Sequence, residues 1–214
     1  ELLQRSAQLS LTLSAASLTV PLRADDDAEP SGEGGVLLND EQSQLNPTRV
    51  RQVVHAHSID DLRLALKTAS RQGRAISVAG GRHSMGGQQF GSDNIHLDMT
   101  TLNRAVSLDR KRGLVKVEAG VQWPELIVEL HRQQTDLDSS GPKQPWTIRQ
   151  KQTGVDAVTI AGSLASNMHG RGLKFPPFVH DIESFELLDA SGKLCHCSRT
   201  ENEELFSLAS GGYG

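Results

Sequence analysis

The sequence predicts a mixed domain of the α+β class, on three observations. Short apolar runs of strand length recur at residues 50–56, 75–79, 95–98 and 182–188. Between them, segments near 58–73 and 124–133 carry apolar residues at helical spacing behind helix-start signals. Near the C-terminal end, Asp189-Ala190-Ser191-Gly192 separates two strand candidates as a hairpin turn would. Charge narrows the class of function: 22 Lys and Arg against 26 Asp and Glu, net −4, lack the basic footprint of a nucleic-acid binder. No run approaches the roughly 18 apolar residues of a membrane span.

Residues 1–24 hold one early cation, Arg5, an apolar stretch rich in Leu, Ser and Thr, and small residues before an acidic run. The pattern suits the latter part of an export signal with cleavage after Ala24, which would make the protein periplasmic or secreted rather than cytoplasmic. The alternation of Leu9, Leu11 and Leu13 with Ser and Thr also suits a half-buried strand. Residues 25–47 combine acidic residues, Gly and Pro without a period and read as a flexible acidic linker, so the folded unit is expected over residues 48–214. The chain starts on Glu1 and stops within a Gly-rich phrase, and reads as a piece of a longer protein.

After a strand at 50–56, Ser58 with Asp61 forms a capping-box pattern. It opens a helix with Leu62, Ala65, Leu66 and Ala69 on one face, closed by Gly73. Strands follow at 75–79, 95–98, 106–108 and 114–118, the last two joined by Asp109-Arg110-Lys111-Arg112-Gly113. Pro124 suits the first turn of a helix reaching Gln133. Beyond the hairpin of 182–188 and 193–197, Thr200 and Glu203 repeat the capping-box spacing before Leu205, Phe206 and Leu208. Cys195 and Cys197 are too few and too close for a disulfide framework or a four-ligand zinc site.

The chemistry-bearing phrase is Ala79-Gly80-Gly81-Arg82-His83-Ser84-Met85-Gly86-Gly87, directly after a strand. Gly pairs around a short polar stretch let successive amides turn toward one point, a nest for phosphate, with Arg82 adding charge and Ser84 a hydroxyl. A plain surface turn fits the same residues, and the spacing is not that of a dinucleotide-binding Rossmann loop. A second cluster, Thr159-Ile160-Ala161-Gly162-Ser163-Leu164-Ala165-Ser166-Asn167-Met168-His169-Gly170-Arg171-Gly172, is made of small residues, suited to close backbone contact or to a tightly packed helix start. Ser210-Gly211-Gly212-Tyr213-Gly214 is a third Gly-rich stretch.

Taken in this order, these phrases with the 179–193 stretch VHDIESFELLDASGK resemble the FAD-binding domain of the vanillyl-alcohol-oxidase, or PCMH-type, flavoprotein family. The likeness covers residues 48–214. It is nearest in look to oxidases and dehydrogenases of sugars, alditols and aldonolactones, and more loosely to decaprenylphosphoryl-ribose oxidases. It implies two α/β subdomains clasping FAD, with a cap domain for the substrate outside this chain. By the resemblance, Ala79, Gly80, Gly81, Arg82, His83, Ser84, Met85, Gly86 and Gly87 form the pyrophosphate loop. Thr159, Gly162, Ser163, Ser166, Asn167, His169 and Gly170 line the flavin side, and Ile182 approaches the adenosine. His83 falls where many relatives carry a covalent bond to the flavin, chemistry open to a neutral imidazole nitrogen; a hydrogen bond to phosphate or backbone is the other role open to it.

The implied function is oxidation of a CH–OH group of a small sugar-like or other alcohol substrate by hydride transfer to flavin N5, with oxygen or another acceptor taking the electrons. A non-catalytic FAD or nucleotide-binding module is the alternative. A metal hydrolase built on His83, His169, His180 and Asp181 is a further one, although these histidines lack the i, i+4 spacing of a helical metal pair. The base that takes the hydroxyl proton is not assigned.

Overall fold

The computed structural model describes residues 6–11, 34–135, 145–152 and 154–212. The Ala24 cleavage position, the acidic run 25–27, Leu13, Tyr213 and Gly214 lie outside the described residues. In chain order, β1 (Ser6–Leu11) is followed by β2 (Val36–Leu38), which pairs antiparallel with β3 (Thr48–Val50). The folded chain therefore begins before Thr48. Residues 34–47, expected to belong to the linker, hold a strand and a tight turn.

The strand expected at 50–56 is two strands serving different sheets. At Arg51, whose amide donates to the Asn94 carbonyl (2.8 Å), the chain turns from β3 into β4 (Gln52–His55). Helix α1 (Ile59–Gln72) starts as its capping pattern requires: the Ser58 hydroxyl accepts the Asp61 amide at 3.2 Å. The shorter Asp61 carboxylate reaches back to the amide of His57 at 3.0 Å, one residue before the cap. Gly73, at φ 61, ends the helix in the left-handed conformation that glycine adopts without steric cost. Strands β5 (Ile76–Ala79) and β6 (Ile95–Asp98) complete a parallel sheet of order β4-β6-β5. Side chains alternate across it: Val54, Ile95 and Leu97 pack against Leu62, Ala65 and Ala69 of α1. Each fully buried Leu or Ile there contributes roughly 1.5–3 kcal/mol. The opposite face carries His96 and Asp98 toward the loop that follows β5.

The second layer begins with β7 (Ala105–Asp109) and β8 (Leu114–Val117), an antiparallel hairpin turning at Gly113 (φ 67). Helix α2 (Trp123–Thr135), β9 (Thr147–Ile148), α3 (Ile160–Ala165) and a 3₁₀ turn at Phe178–Asp181 lead to the hairpin of β10 (Ile182–Leu188) and β11 (Leu194–Ser198). Its turn is stabilised by the Asp189 carboxylate, which accepts the Ser191 hydroxyl (2.6 Å) and the amides of Ser191 and Lys193. The sheet order is β11-β10-β1-β8-β7, with β9 also on β1; β1 is an inner strand, parallel to β8 and β10. The strand alternative for residues 6–11 is thus the conformation found. A core of Val115, Val117, Trp123, Leu126, Ile160, Phe178, Ile182, Phe185 and Phe206 fills this layer.

The final helix, α4 (Glu203–Ala209), departs from the capping box expected at Thr200 and Glu203. Its N-cap is Asn202 at φ 48, with no side-chain cap. The Ser198 hydroxyl takes the amides of Thr200 (3.2 Å) and Glu201 (3.0 Å), so Thr200 is spent in a turn before the helix starts. The two apolar clusters give the two subdomains that the resemblance implies. No helix among the described residues is long and apolar enough to cross a membrane.

Candidate functional site

The loop leaving β5 has the carbonyls of Arg82, Ser84 and Met85 held and its amides uncommitted. The Glu41 amide donates to the Arg82 carbonyl (2.9 Å), Gln89 Nε2 to the Ser84 carbonyl (2.9 Å) and Asn46 Nδ2 to the Met85 carbonyl (2.7 Å). Among the described residues, no amide from Gly80 to Gly87 finds an acceptor. Arg82 takes the left-handed conformation (φ 53), as does Gly87 (φ 73), which curls the chain into a nest of amides.

The glycines at the head of the loop are required by packing. A Cβ on Gly80 would strike the Thr159 side chain, and one on Gly81 the Ala157 carbonyl. Bare backbone here lets the segment before α3 close against the loop, bringing the two subdomains together. Thr159 is the N-cap of α3, its hydroxyl accepting the Gly162 amide at 3.1 Å.

Between loop and helix lies a cavity of about 420 Å³, within the range of cofactor sites. Of the residues expected to hold a cofactor, Ala79, Gly80, Gly81, Arg82, His83 and Ser84 line it from the loop, and Thr159, Gly162 and Ser166 from the α3 side. The others do not line it. Met85 is exposed, and Gly86 and Gly87 lie further along the loop. Ser163 is fully buried, accepting the Trp123 indole N–H (3.0 Å) and donating to the Thr159 carbonyl (2.9 Å), a packing role. Asn167 sits in a left-handed turn (φ 45). His169 is exposed and directs Nδ1 to the Gly170 carbonyl (3.0 Å). Gly170 lies against the Lys151 carbonyl, and Ile182 is sealed in the core as the first residue of β10.

Sequence reasoning missed part of the wall, Gln89 with Met99, Val155 and Val158 as an apolar lining; Gln152, open in the sequence to a cofactor contact or to a solvated loop, also lines it. Their signal was weak, since polar Gln in loops and single Val residues follow no period. Three buried polar atoms on the wall lack a partner: His83 Nδ1, Gln89 Oε1 and Gln152 Oε1. Buried polar groups are ordinarily paired, so these, with the uncommitted amides, fit a polar guest bearing both anionic oxygens and hydrogen-bonding ring atoms.

Behind the loop, His96 is 1% exposed and its Nδ1 lies 2.7 Å from the Ser77 hydroxyl, beside the Phe90 ring. Burial holds its pKa down at about 4, with Asp98 opposing and Arg82 and His55 reinforcing the shift, so the imidazole is neutral at physiological pH. Arg82 is paired with Glu41 (2.5 Å). His83, His169, His180 and Asp181 do not converge, and no metal-binding group of three His, Cys, Asp or Glu forms among the described residues. Asp181 is instead buried, accepting Gln150 Nε2 (2.8 Å) beside Arg149 (3.4 Å).

Residues 50–198 match the family model described as FAD binding domain. L-gulonolactone oxidase of Bos taurus is 30% identical over 152 residues, covering 71% of this chain and 32% of that protein. Decaprenylphosphoryl-beta-D-ribose oxidase of Mycolicibacterium smegmatis is 27% identical over 155 residues, covering 72% and 31%. Among solved structures, a chitooligosaccharide oxidase superposes with TM-score 0.65 at 21% identity, over 81% of this chain and 34% of that one. The 6-hydroxy-D-nicotine oxidase of Arthrobacter nicotinovorans superposes with TM-score 0.60 at 22% identity, over 91% and 40%. The chain thus spans about a third of the length of the curated relatives it matches.

Proposed function

We propose, on the premise that this chain belongs to the FAD binding domain family, that it is the cofactor-holding part of an oxidoreductase acting on a CH–OH group of a sugar-like or other alcohol substrate. The observation that carries the reading is the row of uncommitted amides from Gly80 to Ser84 on the wall that also holds His83.

FAD, when bound, supplies the two-electron acceptor for a hydride leaving the alcohol carbon. The protein's part is to hold and orient. The loop amides would hold the diphosphate oxygens, as backbone nests do for anions. Gln89 Oε1 and Gln152 Oε1 would accept N–H groups, and Met99, Val155 and Val158 would keep water from the flat ring system. His83, with Nδ1 uncommitted, would serve either as the point of covalent attachment or as a hydrogen-bonding partner; we favour attachment, because a neutral imidazole is a competent nucleophile. The base and the substrate pocket fall, in this reading, to the part of the relatives' length that this chain does not span, and the electron acceptor is oxygen or another small oxidant. Export through a leader in residues 1–24 is a separate proposal, in which the mature chain gives up β1, checked by sequencing the N-terminus of the secreted protein: a start near Asp25 supports it, and an intact N-terminus that keeps β1 in the sheet contradicts it.

The test is optical. The full-length protein reconstituted with FAD should show a flavin band near roughly 450 nm that bleaches under anaerobic conditions with one of a panel of sugars, alditols and aldonolactones. Acid precipitation should leave the colour with the wild-type protein, release it from His83→Ala and retain it in His169→Ala. No flavin band would remove the cofactor assignment for the site. Bound flavin that no alcohol bleaches would point to a non-catalytic module.

A further inference from the structure

The loop's conformation is imposed from outside, by a turn in the segment before β3. Asp40 is fully buried. Its carboxylate accepts the amides of Gln42 (3.1 Å), Ser43 (2.5 Å) and Gln44 (3.3 Å), the Ser43 hydroxyl (2.9 Å) and Asn46 Nδ2 (2.9 Å). Asn39 Oδ1 accepts the amides of Asp40 (3.0 Å) and Asn46 (2.9 Å), closing the turn. This knot presents two hooks to the loop. Asn46 Nδ2, already bound to Asp40, also donates to the Met85 carbonyl, and Asn46 packs so close to Gly87 that a Cβ there would come within 2.9 Å of its Oδ1. Glu41 takes both ends of Arg82, its amide donating to the carbonyl and its carboxylate accepting the guanidinium.

The consequence follows from peptide geometry. In a trans peptide unit the carbonyl and the next residue's N–H point in opposite directions, and the described chain has no cis peptide. Fixing the Arg82 carbonyl toward Glu41 therefore turns the His83 amide away from the turn. Fixing the Met85 carbonyl toward Asn46 does the same for the Gly86 amide. Gln89, from within the loop, likewise fixes the Ser84 carbonyl, which turns the Met85 amide away from Gln89.

We propose that the Asn39–Asn46 turn is a positioning brace for the cofactor loop, with Asn46 and Glu41 as positioning residues that aim the amides of residues 80–87 and Asp40 as the buried anchor that holds both. This rests on the reading that the loop holds the FAD diphosphate. None of the three residues lines the cavity, so none is offered as a ligand.

The experiment is an FAD titration of the full-length protein, stripped of flavin, followed by flavin fluorescence, with the apo-protein melting temperature measured alongside. Asn46→Ala removes one hook and is expected to raise the FAD dissociation constant roughly fivefold to tenfold, the worth of about one hydrogen bond, and to slow acid-stable incorporation of flavin. Glu41→Ala, at a more exposed position that threatens folding less, is expected to raise it about threefold, and Glu41→Gln, which still accepts from Arg82, to return it toward wild type. ADP affinity should fall in parallel, because the loop grips the diphosphate, whereas riboflavin, which lacks one, should be indifferent to both changes. Folded Asn46→Ala and Glu41→Ala proteins that bind FAD as wild type does would overturn the brace while leaving the cofactor assignment intact. A wild type that binds neither FAD nor ADP would overturn the cofactor reading, and the brace with it.

Discussion

Gly80 and Thr159 stand so close that a single methyl group on the glycine would overlap the threonine hydroxyl. This contact joins the first Gly-rich loop, at the end of the parallel sheet, to the N-cap of α3 in the second layer. Two phrases separated by about eighty residues of sequence thus form opposite walls of one cavity, and the width of that cavity is set by side chains too small to hold them apart.

Substituting Gly80→Ala should force Thr159 from its capping position and cost on the order of 1–3 kcal/mol through overpacking. A loss of FAD affinity should accompany it. Thr159→Ala in the same chain removes the clashing atoms and should restore part of both losses. A double-mutant cycle on melting temperature and FAD titration measures the coupling; strictly additive effects would contradict the contact.

Ser163, expected from the family pattern to face the flavin, is instead the acceptor for the buried Trp123 indole N–H. Ser163→Ala leaves that donor without a partner and should destabilise the fold by about 1–3 kcal/mol. That corresponds to a fall of roughly 3–10 °C in melting temperature for a domain of this size. FAD affinity, measured below the transition, should change little. The reverse pattern, a stable protein with impaired FAD binding, would return Ser163 to the cofactor site.

His96 gives the fold an acid dependence of definite sign. Its folded pKa of about 4 lies below the ordinary 6.5. Between those two values the unfolded chain binds more protons than the folded one, so stability is full above about pH 6.5 and declines as pH falls toward 4. The loss attributable to this group is on the order of 3 kcal/mol. Denaturant melts at stepped pH values should show the decline, and His96→Asn, which does not titrate there, should flatten it. An unchanged slope in that variant would assign the acid sensitivity to other groups.

What could be read from the sequence divides along a physical line. Helix α1 was legible because its cap, apolar face and terminal glycine are local and periodic, and the β10–β11 hairpin because Asp189 and Gly192 act within their own turn. The Gly-rich loop was legible as bare backbone turning after a strand, but the contacts with Thr159 and Ala157 that require glycine at Gly80 and Gly81 were not. The Asn39–Asn46 turn was read as linker because its order lies in side-chain-to-backbone bonds around Asp40, which leave no hydrophobic period. Ile182, placed near the adenosine by family pattern, is core because β10 begins there and its first inward position faces the second apolar cluster. In α4, Thr200 had the right spacing for a cap, but Ser198 claims its amide first. Residues 1–24 met two descriptions at once: one early cation before an apolar stretch suits an export leader, and the alternation of Leu9, Leu11 and Leu13 suits a strand, which is found at Ser6–Leu11.

The proposed role of the amides of residues 80–87 is to stay open for a diphosphate. Amide hydrogen exchange over this loop, with and without FAD or ADP, tests it most directly. The account requires fast exchange in the apo protein and marked slowing across residues 80–87 with either ligand, while riboflavin leaves the loop fast. Equal exchange in all three states, in a protein that demonstrably binds FAD, would place the diphosphate elsewhere and contradict the account.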